Sequence, residues 1–209
     1  MNDIDGSILA GGSSTRMGRD KADLCLSGKT FVERSAAALS AVATERLFIV
    51  GNLKKGACGL LVVPDEYVGK SDERRAAIIG LHAALSKTNA KWTAVLACDL
   101  PFASGDLFLR LASFRDENFD AVVPIQADGR SQPLCALYRR QTCLPVVEAI
   151  LGGNDWSLRK LLRSLNTRFV CFDEISDLPN AEHFFLNVNT PEDHSAAIAI
   201  ETDLARRDP

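Results

Sequence analysis

Between Ser7 and Lys21 the chain reads Ser-Ile-Leu-Ala-Gly-Gly-Ser-Ser-Thr-Arg-Met-Gly-Arg-Asp-Lys. The apolar run Ile8-Leu9-Ala10 has the character of the end of a buried strand, and it leads straight into Gly11 and Gly12. Glycine lets the backbone take positive φ and lie close to a ligand. A turn whose amides point inward forms a nest for anions. Arg16 and Lys21 add two fixed cations around the same loop. Backbone amides, an arginine and a lysine together suit a triphosphate, whose roughly four negative charges must be neutralised in a small space. The plainer alternative is a glycine-rich turn carrying ordinary surface cations. The loop is not a Walker loop, because Gly18 is followed by Arg19-Asp20 before Lys21, and its glycines do not have the dinucleotide spacing.

Further candidates stand just after other apolar runs. Asp99 ends Trp92-Thr-Ala-Val-Leu-Ala-Cys-Asp99 and precedes Leu100-Pro101. A carboxylate there suits Mg²⁺, which takes one or two carboxylates and completes its shell with phosphate oxygens and water. The alternative is an Asp that caps the next turn. Asp65 follows Val62-Val63-Pro64, and Gly51 follows Arg46-Leu-Phe-Ile-Val. Asn187 and Asn189 alternate about Val188, so in an extended chain both amides point the same way. Paired amides can hold phosphate oxygens without adding charge.

The elements needed to carry these residues follow from periodicity. Thr30-Phe-Val-Glu33 has the form of a capping box and opens a helix to about Val42. Strands are expected at Arg46–Gly51, Gly59–Asp65, Trp92–Asp99 and Ala121–Ile125, with helices around Leu81–Leu85 and Ser104–Phe114 between them. Strands alternating with helices of this length imply parallel β-α-β units. After Ile125 the rhythm changes. Ala127–Arg130 is a turn and Pro133–Tyr138 is strand-like, which reads as an antiparallel excursion. Helical signals resume at Val146–Leu151 and Leu158–Leu165, and Arg168–Phe172 is a late strand. Thr190-Pro191 opens a last helix, with Thr as cap and Pro at the first helical position, and Arg206–Pro209 is expected to fray. The fold class is therefore α/β: a Rossmann-like three-layer α/β/α arrangement with a mostly parallel sheet. Ligands in such sheets bind at the carboxyl ends of the strands. With 209 residues and no linker-like composition, one domain over residues 1–209 is expected.

Composition excludes other classes. Hydrophobic content is 46% and charged content 24%, as in ordinary globular proteins. A net charge of −3 offers no basic footprint for nucleic acid. No apolar run approaches the ~20 residues of a membrane span, and the polar, acidic N-terminus is unlike a secretory signal. The six cysteines form no Cys-x-x-Cys pair, and reduced, mostly buried thiols in a cytoplasmic protein are expected.

The run Leu9-Ala-Gly-Gly-x-Ser-x-Arg-Met-Gly-x-Asp-Lys21, with Cys98-Asp99-Leu100-Pro101 and Asn187-Val-Asn189-Thr-Pro191-Glu-Asp193, resembles the motifs of the molybdenum cofactor guanylyltransferase family. The resemblance covers about Ser7 to Asp193. It implies a nucleotidyltransferase-type fold and transfer of GMP from GTP to molybdopterin, with release of pyrophosphate. It also implies Mg²⁺ on Asp99, with Arg16, Lys21 and Asp99 as catalytic residues. Nucleotide binding would fall to Leu9, Ala10, Gly11, Gly12, Lys21, Gly51, Asp65, Asp99, Asn187 and Asn189. Gln132–Tyr138 looks like the family's acceptor-side segment, and Arg159 and Lys160 are candidates for the acceptor phosphate. Partners implied are GTP, molybdopterin and molybdoenzyme maturation proteins. Guanine rather than cytosine follows from Gly11, since relatives using CTP tend to carry Ala-Ala-Gly where this chain has Ala10-Gly11-Gly12. The chain departs from the family at Ala76-Ala77-Ile78-Ile79-Gly80, where only the last glycine of Gly-Pro-Leu-Ala-Gly remains. The open alternatives are a related nucleotidyltransferase using CTP or a sugar or polyol phosphate, and a non-catalytic nucleotide-binding protein.

Overall fold

The structure, a computed structural model, describes residues 4–10, 24–51, 53, 58–65 and 77–207. Nine strands and six α-helices occur among these. In chain order they are β1 (Ile4–Leu9), β2 (Cys25–Leu26), β3 (Lys29–Thr30), α1 (Phe31–Ser40), β4 (Leu47–Val50), β5 (Leu61–Val63), α2 (Ala77–Lys87) and β6 (Trp92–Ala97). Then come α3 (Gly105–Ser113), β7 (Ala121–Pro124), β8 (Cys135–Arg139), α4 (Arg140–Leu151), α5 (Leu158–Ser164), β9 (Thr167–Val170) and α6 (Pro191–Arg207). Seven strands form one sheet in the order β5-β4-β1-β6-β8-β7-β9. Only β8 runs against the others, antiparallel to both β6 and β7. The α/β class, the mostly parallel sheet and the antiparallel excursion are thus as expected.

The central strands are apolar because both faces are covered. On one face Ile4, Ile8, Ile49, Ala94 and Leu96 pack against Leu39 of α1 and Leu107, Phe108 and Leu111 of α3. On the other, Leu9, Phe48, Val50, Val95 and Tyr138 meet Leu81 and Leu85 of α2, Val147 of α4 and Leu161 of α5. These are the three layers. A third, smaller core holds Leu24, Leu26, Phe31, Phe102, Val188 and Ala197. It seats α6 against the β2–β3 hairpin and the chain that follows Asp99.

Local signals explain several boundaries. Thr30 Oγ1 accepts from the Glu33 amide at 3.1 Å while Glu33 Oε2 accepts from the Thr30 amide at 2.7 Å, which completes the capping box. Ser104 Oγ accepts from Leu107 N–H and opens α3. Thr190 Oγ1 accepts from Asp193 N–H, and Pro191 is the first residue of α6.

Four expectations change. β1 begins at Ile4, so Asp5 and Ser7 are buried inside it. Asp5 is tolerated because Thr88 Oγ1 donates to its Oδ2 at 2.6 Å and Arg46 lies 3.4 Å from the same oxygen. Helix α4 starts at Arg140 and contains Pro145, not after it. β8 runs directly into it, and buried Cys143 and Val147 hold the turn that the proline weakens. α6 reaches Arg207, so the frayed tail expected from Arg206 onward is helical there, and residues 208–209 lie outside the described residues. Only half of the six free thiols are buried. Cys98, Cys135 and Cys143 are enclosed, whereas Cys25, Cys58 and Cys171 occupy a two-residue strand, a turn and a strand exit open to solvent.

Two predictions follow from this packing. A Cβ on Gly6 would sit 2.5 Å from Leu47 Cδ1 and 3.0 Å from Ala43 Cβ, and the alanine methyl cannot rotate away. Gly6→Ala should lower the unfolding free energy by about 1–3 kcal/mol, measured as a drop in urea midpoint at unchanged slope. Burial, with the nearby Asp120 carboxylate, pushes the Cys143 thiol up to about 12, and burial alone raises the Cys135 thiol still further. A thiol reagent at mildly alkaline pH should therefore label Cys25, Cys58 and Cys171 in the native protein and reach Cys98, Cys135 and Cys143 only after unfolding.

Candidate functional site

The site is built on register. Val63 pairs with Val50, Val50 with Leu9, and Leu9 with Ala97. Four parallel strands therefore end at one level, in the spatial order β5, β4, β1, β6. The ladder continues a residue further. Ala10 N–H donates to Val50 O at 2.8 Å, Gly51 N–H to Val63 O at 2.9 Å, and Cys98 N–H to Leu9 O at 3.0 Å. Asp65, Gly51, Ala10 and Asp99 are thus delivered side by side along one rim. Three inter-strand spacings separate the Asp65 and Asp99 strands, about 14 Å, which is a span of nucleotide dimensions.

Each position has a local cause. Gly51 is buried with φ 144, a conformation that L side chains rarely adopt, so only glycine turns the chain off β4 this way. Asp65 and Asp99 each stand two residues past their strand and are half-buried. Leu100 N–H donates to Ala97 O at 3.2 Å, which folds the chain after Asp99 into a turn. Leu9 is buried under α2, where a Cβ on Gly80 would lie 3.7 Å from both Leu9 methyls. The first turns of α2, including the Ala77–Gly80 part of the departing segment, therefore cover the β1 end of the rim.

The Asn-x-Asn segment arrives from the far end of the chain. Val188 N–H donates to the Asp99 carbonyl at 2.9 Å, and the Val188 side chain is buried in the third core. Asn187 and Asn189 flank it, both exposed, and Asn189 Nδ2 donates to Asn187 Oδ1. The two amides therefore lie on the same side, as alternation requires. Asp193 Oδ2 accepts from the Asn189 and Thr190 amides at 2.9 Å each, fixing the segment to the start of α6.

Gly11, Gly12, Arg16 and Lys21 lie outside the described residues, as does Ala76. The two ends of their loop do not. Ala10 leaves the rim between Gly51 and Cys98, and Leu24 packs in the third core with Phe102 and Val188. Ala10 and Leu24, the described residues on either side of positions 11–23, therefore both lie close to the Asp99 turn.

The expectation for Gln132–Tyr138 needs correction. Because β8 is antiparallel, only its approach lies at the carboxyl rim, where Ala97 N–H donates to Leu134 O at 2.7 Å. Gln132 is held there by its side chain donating to Gln126 Oε1 and its amide donating to Pro124 O. Cys135 to Tyr138 descend into the sheet and are fully buried, with the Tyr138 hydroxyl donating to Pro133 O. They cannot touch an acceptor. Arg159 and Lys160 are exposed on α5, an ordinary charged helix face. Reading the sequence missed Arg34, whose guanidinium reaches Pro101 and Glu201. No local pattern around it signals these partners.

Comparison with known proteins agrees with this geometry. Residues 6–169 match the family described as the MobA-like NTP transferase domain. A probable molybdenum cofactor guanylyltransferase of Geobacillus sp. (strain WCH70) is 32% identical over 196 residues, covering 92% of this chain and 97% of the relative. One from Halalkalibacterium halodurans is 33% identical over 205 residues, covering 93% and 98%. The crystal structure of molybdopterin-guanine dinucleotide biosynthesis protein A from Archaeoglobus fulgidus superposes with a TM-score of 0.76 at 23% identity, covering 95% of this chain and 99% of that one. Four strand ends meeting at one rim, with matching sequence from the first strand to the last, make this chain a nucleotidyltransferase of the molybdenum cofactor guanylyltransferase family, within the MobA-like NTP transferases.

Proposed function

We propose that the chain transfers GMP from GTP to the phosphate of molybdopterin, forming the guanine dinucleotide cofactor and releasing pyrophosphate. The observation that carries this reading is the hydrogen bond between Val188 N–H and the Asp99 carbonyl, which brings the Asn187–Asn189 segment to the β6 strand end. The names of the curated relatives supply the guanylyl group and the cofactor.

In this reaction a terminal phosphate oxygen of molybdopterin attacks the α-phosphorus of GTP. The bond from the α-phosphorus to the bridging oxygen breaks, and pyrophosphate leaves with the charge. Little covalent work falls to the protein, which must align two anionic groups and stabilise charge as it moves. Asp65, at the β5 end of the rim, is offered to the guanine N1 and N2 edge as an acceptor. Gly51 leaves room beside it. Backbone amides of the Gly11-Gly12 loop, with Arg16 and Lys21, hold the β- and γ-phosphates and the departing pyrophosphate. Asn187 and Asn189 orient acceptor phosphate oxygens. Asp99 supplies a half-buried carboxylate at the strand end, and the Val188 backbone bond ties the Asn187–Asn189 segment to the same turn; oxygen donors of this kind suit Mg²⁺, which Asp99 would hold. Bound there, Mg²⁺ would neutralise charge between the two reacting phosphates.

A purified sample given molybdopterin, Mg²⁺ and each nucleoside triphosphate in turn should release pyrophosphate with GTP and far less with CTP. Preference for CTP, or turnover with a sugar phosphate in place of molybdopterin, would overturn the assignment. Binding of GTP without release under any acceptor would make the chain a non-catalytic binder. Asp99→Ala should keep the native circular dichroism and lose turnover. Lys21→Ala should slow it by roughly 10²–10³, the loss typical of one preorganised donor.

A further inference from the structure

Arg34 lies on α1, outside every motif, and its guanidinium joins two elements that meet nowhere near it in sequence. Nε donates to the Pro101 carbonyl at 2.9 Å. The two terminal nitrogens donate to the two carboxylate oxygens of Glu201 at 2.8 and 3.0 Å. The guanidinium also sits 5.8 Å from the centroid of the Phe102 ring. Pro101 is two residues past Asp99, and Glu201 is on α6, the helix that begins directly after Asn189 and Thr190. Val188 N–H closes the circuit on the Asp99 carbonyl. The path Arg34, Pro101, Asp99, Val188, α6, Glu201 and back to Arg34 is thus a ring of contacts around one end of the rim.

The chemistry of this ring requires arginine. A planar fork can serve a carbonyl along one edge and a carboxylate bidentately along another, whereas a lysine ammonium is a point charge without that geometry. Both side chains of the ion pair are 20% exposed, so salt screens it less than a surface pair. Had Arg34 served only to anchor α6, Glu201 would suffice. Its bond to the turn that carries Asp99 couples the two halves of the site.

We propose that Arg34 is a positioning residue that fixes the Asp99 turn against the Asn187–Asn189 segment, acting through the Pro101 carbonyl and Glu201. This rests on the reading of Asp99, Asn187 and Asn189 as site residues. Arg34 touches no reacting atom. Its effect is on alignment, and misplacing reacting groups by about 1 Å can cost on the order of 10² in rate.

The test pairs a turnover measurement with one that needs no turnover. Amide hydrogen exchange at Val188 is read in the wild type and in Arg34→Ala, Arg34→Lys and Glu201→Gln. In Arg34→Ala, exchange at Val188 should rise about tenfold or more while amides of β1 and β6 keep their wild-type rates. Turnover should fall by about 10–10² in kcat with KM for GTP changed by no more than about twofold. Arg34→Lys should be intermediate in both. A cleft of about 490 Å³ beside Arg34, bordered by Lys29, Ser104 and Asn180, is large enough to admit free guanidinium. Millimolar guanidinium should restore part of the Arg34→Ala rate and leave the wild type unchanged. Unchanged Val188 protection in a folded Arg34→Ala protein would overturn the proposal, as would an equal rise at every amide. Should that variant fail to fold, Glu201→Gln removes the ion pair while leaving the Pro101 bond, and the same comparison decides. If the wild type turns over no nucleotide, the functional reading has failed, and Val188 exchange still decides whether Arg34 couples the two segments.

Discussion

Four parallel strands end level with one another, and the site depends on that alignment. Parallel pairing has one register per strand pair, set by which residues can be buried on both faces. Val63, Val50, Leu9 and Ala97 share that level because the apolar runs behind them fill both cores at once. A slip of one residue in β4 would turn buried Phe48 and Ile49 to the wrong faces and draw Gly51 off the rim. The carboxyl rim is where backbone ladders stop and polar groups become available to a ligand. The same interactions that hold the sheet together therefore decide which side chains stand next to each other at its edge.

A second level of construction closes the site from the side. Nothing in the seven-stranded sheet brings Val188 to Asp99. That falls to the third core, where Leu24 and Leu26 from beyond the glycine loop, Phe102 from beyond Asp99, and Val188 and Ala197 from the last segment are buried together. Each buried Leu, Phe or Val among them contributes on the order of 1.5–3 kcal/mol relative to exposure. The small core thus gathers the exits of three chain segments that each carry candidate site residues. His194, whose Nε2 lies 2.9 Å from the Cys25 carbonyl, and the Arg34–Glu201 pair brace α6 from two flanks.

The sequence was most legible where a signal and its consequence lie within one element. The Thr30–Glu33 box, the Ser104 region and Thr190-Pro191 each announced a helix start, because a cap bonds to amides two or three residues away. Strand ends were legible because apolar runs stop where burial stops. The first half of β1 was not, since Asp5, Gly6 and Ser7 break the apolar pattern. Asp5 is reconciled with burial by Thr88 and Arg46, far along the chain. The β2–β3 hairpin leaves no mark in the apolar pattern because two-residue strands show no alternation. Its Ser27-Gly28 turn, with φ 48 and 78, was the available signal. Within the candidate site, strand-end residues were legible and the couplings between them were not. Arg34 reaches partners 67 and 167 positions away, and no local spacing encodes such a meeting.

That separation bears on the order in which the parts acquire stability. β1, β4 and β6 are joined through α1 and α2 over modest stretches of chain, whereas the third core needs residues 24–31 and 188–204 to meet. Closing a long loop costs entropy that grows only slowly with length, but it must be met before the distant contacts return anything. The first large core already draws on residues as late as Phe184, whereas seating α6 and the Val188 bond to the Asp99 carbonyl depends on the third core. Because the third core is the smaller one, α6 and the Asn187–Asn189 segment should open more readily than the strands of the rim. A site divided in this way has a rigid half, formed by strand ends, and a half whose geometry is set by the docking of one helix. In the proposed reaction, which takes two anionic substrates and yields a dinucleotide, the alignment of the two halves therefore rests on the contacts that seat α6.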